Sequence, residues 1–441
     1  MRRYHVTTFG CQMNVHDSER IKGMLESAGL GEAASDGDAD VLVFNTCTIR
    51  EKADERLVQH LENAKNRKAD QPDLQIVVAG CWAESQREAL FTQFPWVDAA
   101  VGPGRIGSLR DVIGGDGERG AFGSFDDFAA DLPKRRERSF QAWLQLSMGC
   151  NSVCSYCIVP SVRGRERSRH PREVLAEARA LAADGVTEVT LLGQNVNSYG
   201  RDLPPEERCT FAEMLRAIDA IDGITRIRFM SPHPKDMRGD VIEAMAESPA
   251  VCNQLHLPLQ SGSSRVLKRM RRTYDAERFL DLVGRLRAAM PDIALTTDVI
   301  VGFPGETDAD FEETLRVYDA VGFDHAFTFL YSPRQGTEAA AFEDQVADAV
   351  KHERLERLVE LVQDHAGRRN RALIGTIQEV LSEGPSRTDP LVHRGKTRGG
   401  KTALFTPSAP AGQTVSMLVE HATSQTLRGA VAGDPIVTPS P

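Results

Sequence analysis

The chain has 441 residues, 41% of them hydrophobic, and a formal net charge of -10, which allows two or three domains with cores of their own and argues against a surface that binds nucleic acid throughout. No apolar run approaches the ~20 residues of a membrane span, and the start, MRRYHVTTFGC, turns into strand-like alternation instead of a signal peptide's apolar core, so a cytoplasmic protein without a membrane partner is expected. Eight cysteines are too sparse for a disulfide scaffold in a chain this long, whereas clustered cysteines in a reducing compartment bind metal or do redox chemistry.

The first hundred residues repeat one unit. YHVTTFG runs to Cys11, DVLVFNT to Cys47 and LQIVVAG to Cys81, and after each a polar turn and a helix-like stretch are predicted, over Ser18 to Ala28, Lys52 to Asn66 and Ser85 to Phe91. This βαβαβα pattern predicts an open parallel sheet, whose ligand site lies beyond the carboxyl ends of the strands. Each cysteine stands at such an end. The alternative is three unrelated buried cysteines, which are common as small core residues.

Gly114 to Pro133, with GGDGERG and FDDFAADLP, is glycine-rich, acidic and without periodicity, and reads as a linker. From Lys134 strands and helices alternate again. The strands are AWLQLSM, EVTLLG, TRIRFM, NQLHLPL, IALTTDVIVG and DHAFTFLY. The helices are Arg172 to Asp184, Phe211 to Asp219, Lys235 to Glu247, Ser264 to Met270, Ala276 to Met290 and Asp308 to Val321, with a charged helix from Asp344 to Ala366 closing the domain. Six β/α units in a row predict an open or partial barrel with its site at the strands' carboxyl ends, where GCNSVCSYC, GQN, SPHP, QSGS, GFPGET and SPRQGT stand. Beyond it TIQEVLSEG, RGKTRGGKTALFT, QTVSMLVEHA and SQTLRGAVAG are short glycine-punctuated runs of a small β-barrel. The fold class expected is α/β: an open parallel-sheet domain over 1–118, a linker over 119–133, a partial (β/α)6 barrel over 134–369, a small β-barrel over 370–434 and a tail over 435–441. From Arg368 onward nine Lys/Arg face five Asp/Glu, a net +4 against -14 for the rest, which hints at a polyanionic partner.

Cys150, Cys154 and Cys157, in CNSVCSYC, put three thiolates on one loop. A zinc ribbon needs a second cysteine pair. A [4Fe-4S] cluster on three cysteines leaves one iron open to an exogenous ligand. A zinc site completed by Cys209 or Cys252 is the alternative.

This CxxxCxxC loop after the first strand of a β/α barrel resembles the radical S-adenosylmethionine superfamily. FGCQMN at Phe9 to Asn14, NTCTIREKA at Asn45 to Ala53, AGCWAE at Ala79 to Glu84 and GCNSVCSYCIVPSVRGRERSR at Gly149 to Arg169 resemble its methylthiotransferases, and the terminal β segment is similar to the TRAM RNA-binding module. The likeness spans nearly the whole chain in order. GCQMN and IVPSVRGRE are similar to the branch that acts on N6-dimethylallyladenosine in tRNA; the branch modifying a ribosomal-protein aspartate usually has lysine where Met13 stands.

The resemblance implies two [4Fe-4S] clusters and S-adenosylmethionine. Cys150, Cys154 and Cys157 would hold the cluster that splits the cofactor into methionine and a 5′-deoxyadenosyl radical. Cys11, Cys47 and Cys81 would hold a second, which presents the sulfur to be inserted. Tyr156 stands where the family places an aromatic ring against the adenine, with a packing tyrosine as the alternative. Gly193, Gln194 and Asn195 replace the usual GGE-like contact to the cofactor's amino group, with an amide for the carboxylate. Gly302 and Gly305, in VIVGFPGE, would let backbone approach the cofactor closely. Arg163 and Arg165, directly after the cysteine loop, would meet cofactor carboxylate or RNA phosphate. Lys268, Arg271, Arg394, Lys396, Arg398 and Lys401 are further RNA candidates; a basic run alone is more often a solvated face.

The activity expected is methylthiolation of C2 of N6-dimethylallyladenosine beside the anticodon, with the tRNA anticodon stem-loop, an electron donor such as flavodoxin or ferredoxin, and a sulfur donor as partners of a monomer. Threonylcarbamoyladenosine in tRNA and a ribosomal-protein aspartate are the alternative substrates, and a non-catalytic iron–sulfur RNA-binding or electron-transfer protein is the alternative class.

Overall fold

The computed structural model describes residues 1–48, 51–114, 118–123 and 132–433. Ile49 and Arg50 of the NTCTIREKA motif, 124–131 of the predicted linker and the 435–441 tail lie outside the described residues. The chain divides into two units: Met1–Glu137 with Met148–Val153 and Cys157–Arg167, and Arg138–Ser147 with Cys154–Tyr156 and Ser168–Pro441.

In the first unit six parallel strands run from edge to edge in the order Gly31–Glu32, Arg3–Phe9, Val41–Thr46, Gln75–Gly80, Ala99–Val101 and Gly120–Ala121. Alternate residues point to opposite faces, so Leu42, Phe44, Ile76 and Val78 enter one core while Val41, Val43, Val77 and Ala79 enter another. That is why these strands read as near-continuous apolar runs. The linker reading is corrected at its start, since Gly120 and Ala121 pair with Ala100 and Val101 as the last strand of the sheet.

No polar turn follows the first and third strands. The helices Gln12–Ser27 and Cys81–Gln86 start at the cysteines themselves. Cys11 occupies the N-cap, its N–H donating to Asn14 Oδ1 at 3.4 Å. The usual Ser, Thr, Asp or Asn start signal is missing there, so the sequence pattern starts this helix six residues late.

The second unit holds two three-stranded parallel sheets, Gln141–Gln145, Glu188–Leu192, Arg226–Phe229 and Gln254–His256, Ala294–Val301, His325–Leu330, with a parallel bridge between Ile227 and Val251. Their helices lie where expected except that the one predicted from Lys235 begins at Gly239, after a 3-10 turn over Pro234–Asp236. Phe211–Asp219 and Asp308–Val321 are started by capping boxes at Thr210/Glu213 and Thr307/Asp310. The closing helix is Asp348–Arg371. The terminal segment forms a closed five-stranded barrel, in which RGKTRGGKTALFT is not one run but a hairpin of His393–Thr397 and Thr402–Thr406, turned at Gly400 with φ +77°. Among the described residues no helix is long and apolar enough to cross a membrane.

The terminal barrel is fixed to the (β/α) strands by half-buried cations. Arg228 Nε donates to Glu188 Oε2 at 3.0 Å while its other nitrogens donate to the carbonyls of Thr397 at 2.8 Å and Arg398 at 3.0 Å. Lys401 pairs with Asp324 at 2.6 Å. Arg228→Met removes the side-chain donor to the Arg398 carbonyl and one partner each of the Thr397 carbonyl and the buried Glu188, which keep Gly400 N–H and Gln141, so it should cost about 1–3 kcal/mol; the check is an earlier urea transition, with fluorescence and circular dichroism both followed.

Candidate metal centres

Phe9, Thr46 and Gly80 are register partners across three adjacent strands. The strand ends are therefore level, and Cys11, Cys47 and Cys81 come off one rim. Two glycines make the approach possible. Gly10 has φ +143°, and a Cβ there would lie 2.5 Å from Cys47 Cβ; Gly80 has φ +94°, and a Cβ there would lie 2.4 Å from Asn45 Oδ1. Buried amides lock the rim: Asn45 Nδ2 donates to the Asn14 carbonyl at 2.8 Å and to Ser18 Oγ at 2.9 Å, and Asn14 Nδ2 donates to Asn45 Oδ1 at 3.2 Å.

Arg163 joins this group. Its side chain is 3% exposed, and it ends the short helix Val159–Arg163 that follows the cysteine loop. Nε donates to Cys81 Sγ at 3.2 Å and Nη2 to Asp17 Oδ2 at 2.8 Å. The expectation that Arg163 meets RNA phosphate or a cofactor carboxylate is thereby corrected, because the guanidinium is turned inward to a thiol and a carboxylate. Arg165 is exposed.

The cysteine loop itself is shaped by backbone. Gly149 has φ +78°, and a Cβ there would lie 2.1 Å from the Arg165 carbonyl oxygen. Cys150 N–H donates to the Gly164 carbonyl at 3.1 Å, and Ser152 N–H donates to Cys150 Sγ at 3.4 Å. Within the second unit, Ser155 N–H donates to the Met270 carbonyl at 3.1 Å, and Arg272 Nη1 donates to Cys154 Sγ at 3.4 Å. Arg272 Nε also donates to Tyr274 Oη at 3.1 Å. The sequence showed Arg272 only as one letter of a basic run. Its neighbours differ: Lys268 is exposed and Arg271 pairs with Glu338 at 2.7 Å.

Gln194 is the polar residue of the second strand's end that stands ready for a ligand. Its Nε2 and Oε1 are both buried with no hydrogen-bond partner among the described residues, as is Ser147 Oγ, which a Cβ at Gly193 would approach to 2.6 Å. A group carrying both donors and acceptors, such as the amino acid end of S-adenosylmethionine, fits such a cradle. Asn195 is engaged by the protein, donating to Asp236 Oδ2 at 2.7 Å, with Arg201 on the other carboxylate oxygen at 2.6 Å. Tyr156 meets Phe303 edge-on at 6.3 Å.

Other expected positions are occupied by protein. A Cβ at Gly302 would lie 2.3 Å from Lys351 Cγ, and one at Gly305 would lie 2.3 Å from Asp344 Oδ2. The space that a Cβ would take at these glycines is filled by those side chains. Arg394 pairs with Glu383 at 2.9 Å, and Lys396 Nζ donates to Thr402 Oγ1 at 2.9 Å. Arg398 donates to the Val251 carbonyl at 2.9 Å, and Lys401 holds Asp324. These four cations help to hold the terminal barrel together and in place. Among the described residues no three His, Cys, Asp or Glu side chains form a group that could hold a single metal ion, so neither Cys209 nor Cys252 completes one.

Residues 144–317 match the radical SAM superfamily and residues 3–102 the uncharacterized protein family UPF0004. The chain is 49% identical over 424 residues to a tRNA-2-methylthio-N(6)-dimethylallyladenosine synthase of Corynebacterium urealyticum, covering 92% of this chain and 78% of that protein. It is 48% identical over 431 residues to the synthase of the same name from Saccharopolyspora erythraea, covering 96% and 87%. The chain belongs to the tRNA-2-methylthio-N(6)-dimethylallyladenosine synthase family.

Membership in this family and superfamily brings S-adenosylmethionine and a [4Fe-4S] cluster with it; three thiols on one loop suit the cluster, and within the second unit Gln194 and Ser147, both without a hydrogen-bond partner among the described residues, suit the cofactor's polar end. Among solved structures, a radical S-adenosylmethionine methyltransferase, TsrM, from Kitasatospora setae aligns with a TM-score of 0.54 at 16% identity, covering 74% of this chain and 73% of that one. That likeness is one of fold.

The amino-terminal trio has its own electrostatics. Cys11 is pulled from 9.0 down to about 6 by its hydrogen bond with Cys47, with burial opposing and the charge of Arg163 adding to the pull. Burial pushes the Cys81 thiol up, against the pull of Arg163. A lowered value means that Cys11 is thiolate above about pH 6. In metal-free protein it should therefore be alkylated by iodoacetamide at neutral pH ahead of Cys81, with a half-maximal rate near pH 6, as read by peptide mass mapping across a pH series.

Proposed function

We propose that this chain inserts a methylthio group at C2 of N6-dimethylallyladenosine next to the anticodon of tRNA, using two [4Fe-4S] clusters and S-adenosylmethionine. The observation that carries the reading is near-half identity to synthases of that name over more than nine-tenths of the chain. The level cysteines at three strand ends support a second cluster besides the one on the CxxxCxxC loop. Cluster and cofactor supply one-electron chemistry and sulfur when bound.

The chain's own residues do the placing. Cys150, Cys154 and Cys157 hold one cluster and leave an iron open, while Arg272 orients the Cys154 thiolate. Gln194, with Ser147, binds the polar end of the cofactor through hydrogen bonds, the amide making an ionic contact unnecessary. Cys11, Cys47 and Cys81 hold the second cluster. Arg165 and Lys268, both exposed, offer positive charge to RNA phosphates, and the substrate base is read outside the helical stack. A flavodoxin or ferredoxin supplies electrons, a separate donor supplies sulfur, and the chain works as a cytoplasmic monomer in three domains, 1–118, 134–369 and 370–434.

Anaerobic reconstitution should load about eight irons per chain. Alanine at Cys11, Cys47 and Cys81 should leave formation of 5′-deoxyadenosine intact and abolish methylthiolation, whereas alanine at Cys150, Cys154 and Cys157 should stop both. Iron that never exceeds about four per chain rejects the two-cluster reading. Nucleoside mass analysis of tRNA from cells lacking the gene rejects the substrate if 2-methylthio-N6-dimethylallyladenosine persists with no other enzyme to make it. For RNA contact, Arg165→Ala and Lys268→Ala should each flatten the salt dependence of tRNA affinity by about one unit of log–log slope, measured by filter binding.

A further inference from the structure

We infer that Arg163 is a positioning residue of the cluster at Cys11, Cys47 and Cys81: Nε fixes the Cys81 thiolate, and Nη1 donates to the sulfur-bearing group bound there. This inference rests on the two-cluster reading.

A guanidinium 3% exposed is costly to bury unless it is paired and its donors are met. Arg163 has one carboxylate, Asp17, and one thiol, Cys81, within hydrogen-bonding distance, and these occupy Nε and Nη2 on one edge of its fork. Nη1 is buried and has no hydrogen-bond partner among the described residues. A buried donor left unmet is unfavourable, and this one belongs to a guanidinium already bonded to Cys81, so an anionic iron–sulfur group bound at that cysteine would satisfy it. Asp17 is itself buried and lies on the helix Gln12–Ser27, which starts at Cys11. One continuous set of contacts therefore runs from the helix carrying the first ligand, through the carboxylate and the guanidinium, to the third ligand. Lysine cannot reproduce it, since an ammonium is a point charge without a planar fork.

The test uses the full chain with Cys150→Ala, Cys154→Ala and Cys157→Ala, so that only the amino-terminal trio can bind a cluster. About four irons per chain after anaerobic reconstitution is the baseline, and no iron there rejects the two-cluster reading before Arg163 is addressed. On that background Arg163→Gln should lose iron to a chelator on the order of 10-fold faster and change the electron paramagnetic resonance spectrum of the reduced cluster. Arg163→Lys should fall between the two. Asp17→Asn, which keeps the shape and weakens the aim of the guanidinium, should move both readings the same way by less. A folded Arg163→Gln protein with the parental spectrum and chelator half-life overturns the inference, as does full rescue by lysine. If Arg163→Gln does not fold, Asp17→Asn decides by the same two readings.

Discussion

Parallel pairing in register is the constraint on which the amino-terminal site depends. Cysteines at positions 11, 47 and 81 are far apart in the chain, and they meet because Phe9, Thr46 and Gly80 end side by side. A slip of one residue in either pairing would turn a thiol to the other face of the sheet. Register is held by the buried strand Val41–Thr46, all of whose side chains are inside, and by the Asn14–Asn45 amides that tie the rim across the sheet.

Charge is used differently from what its distribution along the chain suggests. The basic carboxyl-terminal segment has the composition of a polyanion-binding surface, yet Arg394, Arg398 and Lys401 are taken up by Glu383, by a backbone carbonyl and by Asp324. Arg228 reaches the same barrel from the other side through two carbonyls. Arg394, Arg398 and Lys401 thus serve as an internal fastening, while Arg387 and Arg428 of the same segment are exposed, as are Arg165 and Lys268 elsewhere.

The fold, and the placing of Cys11, Cys47 and Cys81 at strand ends, were legible because both depend on periodicity and residue type. Apolar runs of strand length ending in cysteine gave the parallel sheet; six alternating units gave the partial barrel; glycine-punctuated runs gave the terminal one. Side-chain direction was not legible. RGRERSR does not tell that Arg163 turns inward while Arg165 turns out, nor does KRMRR tell that Arg272 alone reaches a cysteine. Gly302 and Gly305 read as ligand contacts because a glycine shows that something approaches closely without showing what does, and here Lys351 and Asp344 do. The helix at Cys11 began early for a related reason: a cysteine cap carries none of the usual lettering.

Strand, cysteine and helix follow one another at Gly80 and Cys81 without a spacer. Chain length there has no slack. One residue inserted at that junction would carry the thiol about 100° around the helix axis and remove it from the rim, although every residue type would be preserved. At the opposite end of the same sheet, Gly29 faces open space, and a loop there can lengthen without moving any of the three cysteines. Variation in length among related chains should therefore be tolerated at Gly29 and absent at the Gly80–Cys81 junction.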